Sequence, residues 1–382
     1  MNKVEHLQTL LHPLITRSNL YPLIESPVQQ YYRNKSTNAI GLNSKKEIAC
    51  GQMNKQGVIV QSYTKNLCES RLTKQVCKCL KKFIGYYQNV LPLTSNTTYN
   101  GFWRTVTVRE SQNKDYLLLF CFCNYLQYET HWKNIKNHLI DFFYRNISDY
   151  TLIQVFHQRC TQRKTCDFND PLYQDLHVRL LREKIHDKTY IMYPNIFFQV
   201  NTHTTKILFD IIRNMLSCVA STKNKRKVLF DMCCGTGVYG IVLHDLFDKI
   251  VGIDYNSRNI DIARQNLLYN DVTNMSLVCD KMENVMDSLF TYYKHDELYI
   301  FVVNPTRSGI PSSVLRAILT YKKYIHQLVY VSCNPHTLMR DLQLLQIEKQ
   351  HVKKIIPLDQ FPHTLHYEVI VHLDFFNTKK SS

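Results

Sequence analysis

Between Pro194 and residue 350, apolar runs of strand length alternate with runs of helical period. The strand-like runs are Lys227–Met232, Lys249–Ile253, Ser276–Cys279, Leu298–Val303 and Gln327–Val331. The helix-like runs among them are Val238–Leu246, Arg258–Tyr269 and Ser312–Tyr321. This rhythm of buried-type strands and helices predicts a parallel sheet covered by helices. Val352–Pro357 and Tyr367–Asp374 read as an antiparallel pair that closes one edge.

The first half of the chain is mixed. Arg71–Leu91 reads as an amphipathic helix with Lys74, Lys78, Lys81 and Lys82 on its polar face, which is either solvated or turned to phosphate. Tyr116–Tyr125 is an apolar run suited to a buried strand. Glu129–Arg145 places Trp132, Ile135, Leu139 and Phe143 at helical spacing, as core positions. Arg159–Asp167 is polar and reads as a loop, and residues 1–28 as a short helical leader ending near Pro27. The expected organisation is a leader over 1–28, an α+β region over 29–190 and an α/β domain over 191–382.

Composition sharpens this. Lysine and arginine number 47 against 31 acids, a formal charge of +16, and a protein this basic is expected to meet a polyanion. The 25 tyrosines favour RNA, whose unpaired bases stack on aromatic rings. Thirteen cysteines occur without a C-x-x-C pair, so no metal or iron–sulfur site is expected, and scattered free thiols imply a reducing, intracellular compartment. No apolar run reaches the roughly 18 residues of a membrane span. Arg17 and the early leucines leave mitochondrial and cytoplasmic or nuclear locations equally open.

Gly235, Gly237 and Gly240 fall together directly after the strand Val228–Asp231. Glycines there let backbone approach a ligand at a helix start. Asp254 ends the next strand, where a carboxylate can take hydrogen bonds from ribose hydroxyls. This much fits a dinucleotide or S-adenosylmethionine. Asp280 and Glu283 could reach an adenine or be surface acids.

The later strands carry the chemistry. One runs into Asn304-Pro305-Thr306-Arg307, the next into Ser332-Cys333-Asn334-Pro335, and downstream stands Phe361-Pro362-His363-Thr364-Leu365-His366-Tyr367-Glu368. A thiol at the carboxyl end of such a strand points into the crevice where an α/β sheet binds ligands. With Phe197-Phe198-Gln199-Val200-Asn201-Thr202 upstream, these blocks in this order resemble the tRNA (uracil-5-)-methyltransferase family over about Asn195–Asp374. Weaker traces occur at Tyr32-Arg33-Asn34-Lys35 and Gly101–Arg109.

The resemblance implies a Rossmann-like S-adenosylmethionine-dependent methyltransferase domain beside an N-terminal α+β RNA-binding domain, as in the shorter eukaryotic branch without accessory domains. It implies Cys333 as the nucleophile on uracil carbon 6 and Glu368 as the general base. Gln199, Cys233, Gly235, Gly237, Val238, Asp254 and Asn304 are implied at the cofactor, and Arg307, Arg33 and Arg104 at the RNA. Tyr32, Phe102, Trp103 and Arg109 are further candidates for the RNA surface, though core packing explains the aromatics equally well. Four positions depart from the family pattern: Asn304 for aspartate, Thr306 for the second proline, Cys233 where an aromatic residue is common, and Val238 for a polar contact seen in some members. Asparagine keeps an acceptor oxygen and adds a donor, which suits a neutral uracil edge.

The expected product is 5-methyluridine in the T-loop of tRNA, made by a monomer without metal or membrane. Ribosomal RNA uridine as substrate, or a non-catalytic RNA-binding role, stays open. A nicotinamide oxidoreductase would explain the glycine loop but neither Cys333 nor Glu368.

Overall fold

The computed structural model describes residues 3–16, 18–54, 56–62, 66–95, 100–160, 170–220, 225–291 and 297–376. Two compact units emerge. One comprises Gln29–Lys184 with Ile191–Thr202; the other comprises Met1–Val28, Ile185–Tyr190 and His203–Ser382. The segment expected as a leader therefore groups with the C-terminal unit, beginning with helix α1 (Lys3–Leu11).

The N-terminal unit holds strands β1 (Lys35–Leu42), β2 (Ile48–Met53) and β3 (Ile59–Ser62), then helix α2 (Arg71–Tyr87). After these come β4 (Trp103–Glu110), β5 (Asp115–Cys123), helix α3 (Tyr125–Asn146), β6 (Thr151–Cys160) and β7 (Tyr173–His177). Its seven strands form one sheet in the order β3-β2-β1-β4-β5-β6-β7, antiparallel except between β5 and β6. Ser70 caps α2 by accepting from the Thr73 amide, which satisfies a donor the helix itself cannot. Leu72, Val76, Leu80 and Phe83 face the core, while Lys78, Lys81 and Lys82 are exposed. Lys74 instead lies 4.5 Å over the Tyr31 ring.

Tyr32, Phe102 and Trp103, open in the sequence to an RNA surface or to core packing, are 4%, 0% and 0% exposed. Phe102 and Trp103 pack against Phe122 and Trp132, so their aromatic area stabilises the fold. Strand β6 carries Arg159 and Cys160, the start of the expected loop; residues 161–169 lie outside the described residues. Cys160 is disulfide-bonded, unlike the free thiols expected throughout. Cys233, Cys234 and Cys333 are free.

A small sheet pairs β8 (Arg182–Ile185) with β9 (Lys188–Ile191), and α4 (Thr202–Ala220) follows. The C-terminal unit then alternates β10 (Arg226–Met232), α5 (Val238–Leu243), β11 (Lys249–Asp254), α6 (Ser257–Tyr269), β12 (Met275–Cys279) and α7 (Met282–Thr291). It continues through β13 (Glu297–Val303), α8 (Ser312–Tyr321), β14 (Ile325–Ser332), α9 (Pro335–Leu344), β15 (Val352–Leu358) and β16 (Glu368–Asp374). The sheet order is β12-β11-β10-β13-β14-β16-β15; β10 to β14 are parallel, and β16 and β15 are the antiparallel pair. The order reverses next to β10, which opens a crevice at the carboxyl ends of β10 and β13.

Every residue of β13 is buried, as a strand covered on both faces requires. Leu7, Leu11 and Leu14 are buried in the same core as this sheet. The chain after them runs along the outer edge of β15: the Tyr21 and Ile24 amides donate to the Ile355 and Pro357 carbonyls at 2.9 Å. That pairing protects an otherwise open sheet edge. Among the described residues no helix is long and apolar enough to cross a membrane.

Candidate active site

The expected site residues of the C-terminal unit gather at the carboxyl ends of its parallel strands. Asp254 ends β11, Cys233 follows β10, Asn304 follows β13 and Cys333 follows β14. Positive φ at Cys233 (65°), Gly235 (53°) and Gly237 (79°) curls the loop between β10 and α5. A side chain built on Gly235 would meet nothing within 4 Å, so this loop faces open space. At Gly240 it would come within 2.4 Å of the Met275 sulfur, so that glycine serves close packing of helix on sheet.

Two aspartates hold the loop. Asp231, fully buried, accepts from the Gly240 amide at 3.0 Å, and burial pushes its carboxyl up to about 7. Asp254 accepts from the Gly235 amide at 3.0 Å and from the Asn256 amide at 2.9 Å. Val238 is the half-buried first residue of α5. The open face over Gly235, with the Asp254 carboxylate at the next strand end, fits the glycine loop and ribose contact of S-adenosylmethionine. Cys233 presents a small thiol 4.0 Å from the Met282 sulfur and gives no ring for stacking. Burial holds that thiol up at about 12, so it stays protonated and inert.

Asn304 donates through Nδ2 to the Tyr239 hydroxyl of α5 at 3.0 Å. An aspartate could only accept there, so asparagine reverses the polarity of this bond while keeping β13 tied to the glycine-loop helix.

Cys333 and Glu368 meet through strand register. In the β14–β16 ladder Ser332 pairs with Val369, so one residue further sets Cys333 opposite Glu368. Directly opposed residues share a face of the sheet. Glu368 is 3% exposed, and its Oε2 is buried without a hydrogen-bond partner. Burial lifts its carboxyl to about 7, against the opposing pull of the Arg307 cation. The Cys333 thiol is raised to about 11, first by burial and then by the Glu368 charge; Arg307 counters both as a charge and as a hydrogen-bond donor. A buried carboxylate with a vacant oxygen, a thiol and a guanidinium thus share one site. Among the described residues no cluster of three His, Cys, Asp or Glu could hold a metal.

Further residues build this site, and of these only Asn334 was given a part in the sequence, at the turn into the helix after Cys333. Asn334 caps α9 by accepting from the His336 amide, and it donates to the Arg307 carbonyl at 3.1 Å. Asp341, fully buried, accepts from the Ile310 amide at 2.8 Å and from the Tyr330 hydroxyl at 2.6 Å. Together they fix the loop that carries Arg307. Tyr239 and Asp231 act likewise on Asn304 and the glycine loop. Asn334 belongs to the Cys333 block, but no sequence motif marks the roles of Asp341 and Tyr239.

The remaining expected residues belong to the N-terminal unit. Gln199 is 8% exposed, and its carbonyl accepts from Asn34 Nδ2 at 3.0 Å. Arg109 is fully buried and donates to the carbonyls of Tyr193, Ile196 and Phe198, which corrects its assignment to an RNA surface. It braces the segment that carries Gln199. Arg33 is half-buried, donates to the Lys35 carbonyl at 3.3 Å and faces the buried Glu69. Arg104 is half-buried on β4, near Cys121.

The model of the tRNA (Uracil-5-)-methyltransferase family matches residues 2–375. An Acanthamoeba polyphaga mimivirus protein named as an RNA methyltransferase is 35% identical over 197 residues, half of each chain. The tRNA (uracil-5-)-methyltransferase homolog B of Danio rerio is 27% identical, over 92% of this chain and 75% of its own. The mouse homolog A is 26% identical over 91% of this chain, which spans only 57% of that protein. In fold, the chain matches the Pyrococcus abyssi tRNA (uracil-54, C5)-methyltransferase, solved with S-adenosyl-L-homocysteine. The TM-score is 0.69 at 20% identity, covering 97% of this chain and 82% of the other. With a match over nearly its whole length and the thiol, carboxylate and glycine loop at one end of its sheet, the chain belongs to the tRNA (uracil-5-)-methyltransferase family.

Proposed function

We propose that this chain is an S-adenosylmethionine-dependent RNA methyltransferase that forms 5-methyluridine in the T-loop of tRNA, through a covalent bond between Cys333 and carbon 6 of the target uracil. The observation that carries this reading is the strand register that faces Cys333 with Glu368, a buried carboxylate with a vacant oxygen.

Carbon 5 of uracil is a poor nucleophile. When the Cys333 thiolate bonds to carbon 6, the ring's π electrons shift towards carbon 5 and O4, and carbon 5 becomes enolate-like. Arg307 favours the thiolate, because its cation offsets the burial and the Glu368 charge that hold the thiol up. The glycine loop and Asp254 would hold S-adenosylmethionine, whose methyl group would pass to carbon 5 as its bond to the sulfonium sulfur breaks, with S-adenosylhomocysteine as the leaving group. Glu368 then takes the proton from carbon 5. The released electron pair restores the double bond, and the bond from carbon 6 to Cys333 breaks. A carboxyl lifted to about 7 is a stronger base than an ordinary carboxylate and is still substantially ionised near neutrality.

The basic charge of +16 supports a polyanionic substrate, which must present its uracil outside the base stack. The assay combines purified protein, methyl-labelled S-adenosylmethionine and total RNA, followed by nucleoside identification and mapping. Labelled 5-methyluridine in tRNA T-loop fragments is expected. Label confined to ribosomal RNA would overturn the tRNA assignment, and label in 5-methylcytidine the base.

A further inference from the structure

Helix α1 lies against both loops that deliver the reacting groups. His6 Nδ1 is 3.0 Å from the hydroxyl of Tyr367, the residue before Glu368. The His6 ring also packs on that of His336, three residues after Cys333, with centroids 5.3 Å apart. One turn earlier, Lys3 pairs with Asp359 at 2.6 Å and donates to the Phe361 carbonyl at 3.4 Å. The segment between Asp359 and Tyr367, which leads into Glu368, is therefore held at both ends by one helix.

The segment needs such anchors. It has no strand partner between Phe361 and His366, and His363 adopts a positive φ of 61°. Within it, the Thr364 hydroxyl donates to the Phe361 carbonyl and accepts from the His366 amide. Tyr367 is 2% exposed and packs in the core on the α1 and α9 side. Successive side chains of a strand point to opposite faces, so fixing Tyr367 on one face sets how Glu368 projects from the other. Burial pushes the Tyr367 hydroxyl up to about 12, so it stays protonated. Burial and the neighbouring His336 push His6 down, so its ring is neutral near pH 7. The pair is thus a neutral hydrogen bond in a half-buried site, which fixes geometry without adding charge to it.

We propose that His6 is a positioning residue for the methyl-transfer reaction, which through Tyr367 and His336 fixes the carboxylate of Glu368 against the thiol of Cys333. This rests on the reading of Cys333 as nucleophile and Glu368 as base. His6 does not touch the reacting atoms. It sets the distance across which the proton on carbon 5 is taken, in the step that frees the enzyme from its product.

The test compares His6→Ala, His6→Gln and Tyr367→Phe with the unaltered full chain, on tRNA and on tRNA containing 5-fluorouridine. Thermal midpoint, rate of adduct formation, rate of product release, and KM are read for each. His6→Ala and Tyr367→Phe are expected to slow release on the order of tenfold or more, the scale set by a small misplacement of a reacting group. Covalent complex should accumulate on ordinary tRNA, with KM and adduct formation unchanged. His6→Gln keeps an acceptor for the Tyr367 hydroxyl and should recover most of the rate. Release at the unaltered rate in both variants, or equal losses in adduct formation and release, would overturn the proposal. Glu368→Gln runs alongside to separate the failures. If it accumulates complex while the His6 and Tyr367 variants do not, the positioning role alone is wrong. If it does not, the base assignment is wrong and the positioning role falls with it.

Discussion

Glu368 combines two properties that seldom coexist in a folded protein: full burial and an oxygen without a donor. Burial without a partner disfavours the ionised form, which raises its carboxyl from the usual 4.5 to about 7. The native state therefore binds a proton more tightly than the unfolded chain. Its favourable share of stability is full below about pH 4.5 and is lost as pH rises through about 7. Glu368→Gln removes the titration, so the variant should be the more stable protein at pH 8 to 9, by about 3 kcal/mol. Denaturant unfolding at pH 5 and pH 8.5 checks this; parallel curves for the two proteins would contradict the burial argument. Cys333 and Glu368 were singled out in the sequence by blocks that resemble the family, and the strand register sets the two opposite each other. Asp341 and Tyr239 were not singled out, because each works by hydrogen bonds to groups far away in sequence.

At the scale of elements, the alternation after Pro194 foretold β10, β11, β13 and β14 nearly residue by residue, since strands buried on both faces cannot hide their composition. Helix α7 was not read from the sequence. The N-terminal segment shows where pattern stops informing. Leu7, Leu11 and Leu14 lie at helical spacing, but nothing local names the surface they cover. The structure seats them in the core of the C-terminal sheet, and the following residues pair with β15. Leu11→Ala should therefore destabilise the protein by about 2 to 5 kcal/mol, as loss of a core leucine does. An unchanged unfolding midpoint would show that α1 does not pack where the structure places it.

For the whole molecule, composition pointed to RNA correctly at the level of family, but it could not separate surface from core residues. Trp103, Phe102 and Arg109 resemble a nucleic-acid surface in sequence, yet they are core. A buried arginine that donates to three carbonyls and an exposed one on phosphate look alike in a sequence; only the surrounding fold tells them apart. The account stands or falls on the covalent bond between Cys333 and the target base. Fluorine at carbon 5 cannot leave as a proton does, so 5-fluorouridine should trap the complex after methyl transfer. The decisive measurement mixes full-length protein, S-adenosylmethionine and 5-fluorouridine tRNA, then denatures the mixture and counts RNA that migrates with protein. A denaturation-resistant complex that vanishes in Cys333→Ala is the predicted result. A complex that persists in that variant, or none with the unaltered protein, would contradict the account.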